Sequence, residues 1–541
     1  MTAGGLMQLV AYGAQDFYLT GNPQITYFKV VYRRHTNFAT ESVEQTFNGS
    51  ATFGGKAVCL LQRAGDLVTK MYLRAELSGP DMSGTGKQWA WVSRLGHALV
   101  NEVQLDIGGT QIDKHYGDWL NIWYELARNI AHDRGYNKMI GNTPELTTLD
   151  EKHERATVWI PLQFACCRND GLALPVIALQ YHDIKISFTF NRLDGLVNRT
   201  ANFGNVSSSE FKMEGASLFV DYVYLDNAER QRFAQASHEY LFEQLQFSGA
   251  ESLSNVNSKI RLNLNHPCKE LVWVTRNNRF CNGNKFLAYV PSDMEATRLL
   301  ASKRFALRLA QYVTAVPAIP ASGSTPLTPA VPATVVTGAD GLITPVAGLS
   351  TTLQTAFDNL KASIAVTTLG DVDAVTILGK PLEWSEISKL TTELFSGATI
   401  DTDMTTLSDG HPNNDVIVFQ YDNYGVWLNG EVNPTQQALL QLNSHDRVSK
   451  REGDYYNYVQ PWQCHTNTPC DGVNVLSFAL NPEEHQPSGT CNMSRIDNAT
   501  LTLTVDGNVV GGLNDTSIYL YATNYNVLRC MSGMGGLAYS N

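Results

Sequence analysis

Clustered cysteines and long apolar runs are both missing from this sequence. Its nine cysteines are dispersed through 541 residues and odd in number, unlike the compact framework of a small secreted protein, so mostly free thiols are expected. Cys166 and Cys167 are not expected to pair, because neighbours on an extended strand point to opposite faces. No uncharged run approaches bilayer length and the first residues lack signal-peptide character, which favours synthesis in the cytoplasm.

An excess of basic residues is also absent. Forty Lys and Arg residues stand against 52 Asp and Glu, giving a formal net charge of −12. A protein that neutralises many phosphates needs clustered basic residues on one face. Direct nucleic-acid binding is therefore not expected.

Catalytic motifs are missing as well. The segment Gly79–Gln88 is similar to a phosphate-binding loop, but Asp81 replaces a required Gly and Gln88 replaces the metal-binding hydroxyl. A solvent loop between strands is the better interpretation. The nucleophile-elbow and zinc-hydrolase motifs are absent, and nothing singles out a catalytic carboxylate pair. We expect no catalytic site and no cofactor.

Only one cluster of soft metal ligands is present. Cys464 and His465 lie close to Cys470, but the local sequence offers no fourth zinc ligand. A buried thiol and a loop histidine are the favoured interpretation, so no metal is expected. His35, next to Arg33 and Arg34, could meet an anion or an acidic partner surface, although an exposed charged turn is commoner.

What the sequence does contain is β-strand patterning. Hydrophobic residues make up 43% of the chain, arranged in short alternating or apolar runs bounded by Gly, Asn, Asp and Pro, which is typical of an all-β protein. Clear examples are Val100–Ile107, Asp183–Phe190, Ser217–Leu225 and Ala499–Val505. Helical patterning is confined to short pieces, at Tyr116–Ala131 and Asn227–Ala236.

The pattern also occurs twice. Five features recur in the same order, pairing Glu44-Gln45 with Glu243-Gln244, Gln104–Asp106 with Gln441–Asn443, Gly117-Asp118 with Gly453-Asp454, Ile184–Phe190 with Leu501–Val505, and Ser217–Tyr224 with Ser517–Tyr525. Each match alone is weak, but their shared order indicates two copies of one architecture of about eight strands.

The second copy carries a long insertion. Residues from about 312 to 402 are rich in Ala, Thr, Pro, Val and Ser, and six prolines follow one another at 317, 320, 326, 329, 332 and 345. Proline removes the hydrogen-bond donors that an interior strand needs. We therefore predict a variable excursion on the surface.

Six Asn-x-Ser/Thr sequons match the glycosylation pattern, at Asn48, Asn198, Asn205, Asn492, Asn498 and Asn514. In a chain made in the cytoplasm and rich in Asn, Ser and Thr, coincidence is the commoner explanation. They are kept as candidate modification sites only.

Six longer motifs resemble the major capsid proteins of nucleocytoplasmic large DNA viruses, particularly those of phycodnaviruses. They are Ala3–Ala39, Ile107–Trp119, Leu172–His182, His238–Phe247, Gln486–Thr500 and Asn524–Tyr539. The resemblance leaves only residues from about 282 to 431 unmatched. It implies two tandem eight-stranded antiparallel jelly-roll β-sandwiches, a double jelly roll, with short helices in the loops.

The resemblance also implies a division of the chain. We expect an N-terminal arm at 1–25, a first jelly roll at 26–226, a linker at 227–237, a second jelly roll at 238–525 and a C-terminal tail at 526–541.

In function, the resemblance implies a virion shell protein. Homotrimers would form pseudo-hexagonal capsomers that tile an icosahedral shell. Each capsomer would contact neighbouring capsomers, minor capsid proteins and penton proteins, and the internal membrane only indirectly. Two alternatives remain open at this point. With nine Trp and 23 Tyr, the chain could be a carbohydrate-binding β-sandwich, or it could be a minor capsid component.

Overall fold

The computed structural model describes residues 4–277 and 433–539, except 12, 88, 148–149, 200–202, 204–205, 506–509 and 511–515. It also describes six short strands between residues 335 and 426. Apart from those strands, the predicted insertion at about 312–402 lies outside the described residues.

Ten strands precede residue 226, and β3 and β5 among them alternate buried with more exposed side chains along most of their length, as the sequence pattern predicts. They are β1 (Phe38–Thr46), β2 (Lys56–Leu60), β3 (Leu67–Ser78), β4 (Trp89–Trp91), β5 (Val100–Ile107), β6 (Thr110–Tyr116), β7 (Ala156–Pro161), β8 (Ile184–Phe190), β9 (Val197–Arg199) and β10 (Lys212–Leu225).

The remaining strands begin at His238. They are β11 (His238–Ser252), β12 (Asn257–Leu262), β13 (Pro267–Asn277), the short β14 (Val335–Thr337), β15 (Ile343–Pro345), β16 (Thr368–Leu369), β17 (Val372–Asp373), β18 (Gln420–Tyr421) and β19 (Gly425–Val426), then β20 (Thr435–Leu442), β21 (His445–Glu452), β22 (Val473–Ser477), β23 (Cys491–Asn492), β24 (Ala499–Val505), β25 (Thr516–Met531) and β26 (Met534–Leu537).

The described helices are short; two precede β1 and the others lie between strands. They are α1 (Gly4–Val10), α2 (Phe17–Thr20), α3 (Leu95–Leu99), α4 (Gly117–Ala127), α5 (Asp133–Met139), α6 (Pro144–Thr147), α7 (Ala165–Arg168), α8 (Asn227–Gln235) and α9 (Gln460–Cys464), the last preceded by a π-helical turn at Tyr455–Val459. The helix predicted to reach Ala131 ends at Ala127, and α8 falls within the predicted linker. None of the described helices is both long and apolar enough to cross a membrane.

The strands form two sandwiches with the same topology. In the first sandwich, sheet β1-β10-β3-β7 faces sheet β2-β8-β5-β6; in the second, β11-β25-β13-β22 faces β12-β24-β20-β21. All of these pairs are antiparallel. Strand by strand, the two orders are equivalent. The internal repeat and the double jelly roll are therefore confirmed.

Matching turns support this equivalence. Gly108 and Gly109, which join β5 to β6, both have positive φ, as a two-residue type I′ hairpin requires. Asn443 and Ser444 have positive φ in the equivalent turn between β20 and β21. Strand β25 runs to Met531 and pairs with the last strand, β26. Most of residues 526–541 therefore belong to a sheet and do not form a separate tail.

Two hydrophobic cores hold the sandwiches. The first contains Trp89, Trp91 and Phe188, fully shielded from solvent, and the second contains Trp273 and Leu503. At about 25 cal/mol per Å² of apolar area removed from water, such aromatic and aliphatic side chains dominate the stabilisation of each sandwich. Each sandwich therefore has the apolar interior that an independent domain needs.

The described residues before β1 form an exposed arm. Between Leu6 and Asn37 none of the described residues is buried, and Tyr27 and Phe28 are 91% and 99% exposed. This segment extends past the arm boundary predicted at residue 25. Exposed apolar side chains on this scale are typical of a segment that binds another surface.

Candidate functional site: the contact between the two sandwiches

One face of the second sandwich is buried against the first. The outer face of sheet β11-β25-β13-β22 carries Val272, Val475 and Tyr521, which belong to the same hydrophobic cluster as the first sandwich. Trp119 of α4 packs on Tyr521 with ring centroids 5.5 Å apart. Tyr116, at the end of β6, packs on Phe247 at 4.8 Å. The two sandwiches therefore share a continuous apolar contact.

An ion pair lies within this contact. The Arg276 guanidinium on β13 is 2.7 Å from the Asp118 carboxylate in the first turn of α4, and their side chains are only 13% and 11% exposed. Arg276 also lies over the ring of Tyr519, 5.7 Å from its centroid. Asp118 gains further from its position near the positive end of the helix dipole. Partial burial makes this pair stronger than an ordinary surface salt bridge.

Backbone groups join the sandwiches where β11 meets β6. The Leu245 amide donates to the Asp113 carboxylate at 3.1 Å, and the Gln244 side chain donates to the Ile112 carbonyl. Asp113 also lies 2.9 Å from buried His115. These two hydrogen bonds therefore satisfy polar groups of both sandwiches across the contact.

A buried lysine anchors a second network. Lys269 is fully buried, with its ammonium 2.6 Å from Glu243, and it donates to the Glu484 carbonyl at 3.0 Å. Arg168 of α7 approaches the same carboxylate at 3.0 Å. One acid therefore links a helix of the first sandwich to a strand and a loop of the second.

His465 lies between two carboxylates. Its Nε2 is 3.0 Å from Glu270 and its Nδ1 is 2.9 Å from Glu483. Burial alone would lower the pKa of His465, but the two carboxylates outweigh burial and raise the pKa to about 9. Burial would likewise raise the pKa of Glu270, yet the His465 charge holds that pKa below its usual value. This histidine is therefore a cation near neutral pH, and neither ring nitrogen has a lone pair for a metal.

The other candidate ligands do not gather around His465. Cys470 is packed near Glu125 and Arg94, where burial raises its pKa well above the usual value. Burial also raises the pKa of Cys464. Among the residues that the structure describes, no group of His, Cys, Asp or Glu has the arrangement of a metal site.

In the loop that is similar to a phosphate-binding loop, backbone amides already bind a carboxylate of the same chain. The loop joins β3 to β4, and the amides of Gly84 and Gly86 donate to the Glu151 carboxylate at 2.8 and 3.1 Å. The backbone donors that would hold a phosphate thus hold a side chain of the same chain. Gln88 lies outside the described residues. His35 is exposed in the arm, with Nδ1 2.7 Å from the Thr36 carbonyl.

The eight described cysteines are free, and Cys281 lies outside the described residues. The reason given above for Cys166 and Cys167 was wrong: they lie in helix α7 and not on a strand, with their sulfurs 3.9 Å apart. The short helix was missed because its four residues, Ala-Cys-Cys-Arg, are too few to display a helical period.

Three of the six sequon asparagines have a described side chain, and these three lie in separate parts of the chain. Asn48, Asn492 and Asn498 are exposed, and the side chains of Asn492 and Asn498 accept hydrogen bonds within their own turns. Asn198 lies on β9, Asn205 and Asn514 lie outside the described residues, and no side-chain placement is described for any of these three. Glycosylation at the six positions stays a prediction.

Sequence reasoning missed the residues that build the contact. Gly117-Asp118 was noticed only as half of a repeat, and Arg276, Lys269 and His465 were not recognised as ion-pair partners. The only sequence signal that pointed to any of these residues was the repeat, which paired Gly117-Asp118 with Gly453-Asp454.

Family models match almost the whole chain. Residues 26–226 match the model described as major capsid protein N-terminus, and residues 229–536 match that of the large eukaryotic DNA virus major capsid protein. Capsid protein 1 of Acanthamoeba polyphaga mimivirus is 41% identical and the major capsid protein of Phaeocystis pouchetii virus 42% identical, each aligned over all of both chains.

Solved structures agree with the sequence relatives. The crystal structure of PBCV-1 VP54, fitted into a reconstruction of the virophage Sputnik, has 31% identity and a TM-score of 0.61, covering 95% of this chain and all of that one. The Faustovirus major capsid protein, at 10% identity, shares the fold with a TM-score of 0.59, covering 97% and 96% of the two chains. The chain belongs to the family of major capsid proteins of large eukaryotic DNA viruses, which are structural components of the virion and not enzymes.

Proposed function

We propose that three copies of this chain close into a ring of six sandwiches, a pseudo-hexagonal capsomer that tiles an icosahedral shell. The observation that carries the proposal is the contact within the chain. It is heterologous, joining the helix after β6 of one sandwich to the outer face of sheet β11-β25-β13-β22 of the other. The two sandwiches use different surfaces in this contact, a helix on the first and a sheet face on the second. Each sandwich therefore keeps its own version of the other surface unused within the chain.

Repetition of that contact between chains supports closure. The first sandwich has an equivalent sheet face, on β1-β10-β3-β7, that it does not use within the described part of the chain, and the second has an equivalent helical segment after β21. Head-to-tail contacts form a closed ring when their rotation divides a full turn. Two similar sandwiches per chain give a near-sixfold block from three chains.

We infer further partners from the same role. Neighbouring capsomers, minor capsid proteins and penton proteins would contact the sides and base of the ring, with the internal membrane reached only indirectly. The net charge of −12 argues against direct genome binding. Free thiols at the eight described cysteines suit synthesis in the host cytoplasm. We also keep as a proposal the division of the chain into a first jelly roll that ends near residue 226 and a second that begins near residue 238.

Sedimentation velocity and light scattering on the purified chain, across a dilution series, test the proposal. A stable trimer is expected, with obligate interfaces that each bury more than about 2,000 Å² in total. A monomer or a dimer at all concentrations would overturn it. Binding of the isolated protein on a glycan array would favour the carbohydrate-binding alternative, and low abundance in purified particles would favour a minor capsid component.

A further inference from the structure

The edge strands β6 and β21 are equivalent down to a shared bulge. Each strand follows a two-residue turn with positive φ. Its third residue, Ile112 or Arg447, lies in a bulge and faces no residue of the preceding strand. The next residue, Asp113 or Val448, is paired with that strand again. Arg447 is therefore the structural counterpart of Ile112.

The central strands of the two facing sheets align through a shared change of register. Strand β3 shifts its register against β10 directly after the pair Val68–Tyr222. Strand β13 shifts its register against β25 directly after the pair Cys268–Asn524. Val68 and Cys268 are both fully buried. These pairs occupy the same position in the two sandwiches, so Tyr222 is the counterpart of Asn524.

The alignment extends to the edge strands β1 and β11. Glu41 lies opposite Tyr222. Gln244 lies opposite Asn524, so it is the counterpart of Glu41. The sequence repeat pairs Gln244 with Gln45 instead, but Gln45 is buried in its own sandwich, 3.5 Å from the Tyr222 hydroxyl. Strand register therefore makes Glu41 the residue of the first sandwich that corresponds to the contact.

Both members of this contact differ between the two sandwiches. Within the chain, the Gln244 side chain donates a hydrogen bond to the Ile112 carbonyl. Between copies, the equivalent positions hold Glu41, whose carboxylate accepts hydrogen bonds, and Arg447, whose guanidinium donates them. The two changes are therefore complementary to each other in charge and in hydrogen bonding.

The ion pair within the chain has no such equivalent. The repeat makes Asp454 the counterpart of Asp118. The strand alignment makes Glu76 the counterpart of Arg276. Two acids then occupy the equivalent positions, and the Glu76 carboxylate already has Arg155 at 3.6 Å. A favourable charge contact between copies must therefore lie elsewhere on the sheet face.

An acidic groove lies beside Glu41. It has a volume of about 560 Å³ and lies where β1, β3 and β10 meet α8. Its charged lining residues are four acids and one lysine, namely Glu41, Asp170, Asp221, Glu229 and Lys70. One Glu229 carboxylate oxygen is shielded from solvent and has no hydrogen-bond partner among the described residues. The groove therefore needs hydrogen-bond donors and positive charge from outside.

Strand β21 presents the positive charge that this groove lacks. Arg447 and Lys450 are both exposed, and neither forms an ion pair with the part of the chain that the structure describes. The Arg447 guanidinium lies over the Phe478 ring, 5.9 Å from its centroid. A guanidinium can bind a carboxylate through two hydrogen bonds at once. Arg447 is therefore suited to an acidic partner surface.

We propose that β21 of one copy lies against β1 of the next, with Arg447 paired to Glu41 at the acidic groove. The occupant of the groove is a second copy of this chain, because the equivalent strands β6 and β11 already meet within each chain. The inference rests on the proposed ring and names the charge contact between its chains.

Charge reversal tests the pair in the full-length chain. Arg447→Glu and Glu41→Arg should each weaken trimer association by at least about tenfold, because like charges would then face each other in the contact. The double variant should restore most of the loss. Arg261→Glu is the matched control, since it makes the same charge change at an exposed arginine on β12, at the opposite edge of the sheet that contains β21. It should leave association unchanged, and sedimentation velocity over a dilution series measures all four variants.

The outcomes separate the two proposals. If the unmodified chain is trimeric but neither single reversal weakens it, or if the double variant recovers nothing, the pair is wrong and the ring stands. If the unmodified chain does not form trimers, the ring fails and the pair fails with it. Should a reversal prevent folding, Arg447→Cys/Glu41→Cys treated with a short bismaleimide should give covalently linked trimers. No covalent species beyond those of the two single-cysteine variants would overturn the pair.

Discussion

Two buried histidines make the stability of the chain change with pH in opposite directions. Burial, with Arg94 nearby, lowers the pKa of His97 to about 3, so His97 is neutral in the folded chain. The carboxylates around His465 overcome burial and raise its pKa to about 9, so His465 is charged. In the unfolded chain both return towards about 6.5. Folding therefore releases a proton from His97 between about pH 3 and pH 6.5. At His465 folding takes up a proton between about pH 6.5 and pH 9.

These shifts predict a stability maximum near pH 6.5. Below it the unfolded chain binds more protons through His97, so stability falls as the pH falls towards about 3. Above it the folded chain binds more protons through His465, so stability is full below about pH 6.5 and declines by on the order of 2–3 kcal/mol by pH 9. Melting temperatures from pH 4 to 9.5 measure both limbs. His465→Gln should flatten the alkaline limb, and an unchanged alkaline limb would contradict the assignment.

Lys269 provides a second prediction at the scale of single residues. Lys269→Met leaves the Glu243 carboxylate buried with one cation fewer, so we expect a loss of about 3–5 kcal/mol in the free energy of unfolding. The same substitution at exposed Lys152, which lies 2.5 Å from Asp81, should leave the urea midpoint unchanged because water solvates both groups. Equal effects in the two variants would show that burial of the Lys269 pair has no energetic consequence.

Among the elements, the N-terminal arm contributes little to folding. None of its described residues before β1 is buried, so deletion of residues 1–34 should leave the melting temperature unchanged. Deletion of residues 1–46 also removes β1, whose nine residues pair with β10, and should lower the melting temperature strongly. A large loss from the shorter deletion would mean that the arm packs on its own sandwich. Calorimetry on both variants decides the point.

For the whole molecule, the second sandwich is complete without the insertion. Its eight sheet strands all lie within residues 238–277 and 435–531. Loop-closure entropy grows slowly, by about 0.6 kcal/mol for each doubling of length, so a long excursion between strands is tolerated. Replacement of Thr314–Thr402 by a short Gly/Ser linker should therefore leave a folded trimer. Light scattering and a melting curve measure this, and a variant that is unfolded or monomeric would place the segment in a core or an interface.

Much of the fold was predictable because strand alternation is a local signal. Val100–Ile107 and Ala499–Val505 were predicted with the bounds that the structure has, since each alternates in polarity over its length. The ends of other elements were less predictable. Ser217–Leu225 begins five residues earlier, at Lys212, because the added residues Lys-Met-Glu-Gly-Ala carry little β character and owe their place to pairing with β3.

The sequence by itself determined the class of fold, the twofold repeat and the family, because alternation, repeated motifs and long matching segments are all local in the chain. Only the tertiary structure decided which surfaces the two sandwiches use against each other. Asp118 and Arg276 are 158 residues apart in sequence, and His465 meets Glu270 across a comparable gap. No local pattern encodes such pairs, since their strength comes from the burial that folding creates around them.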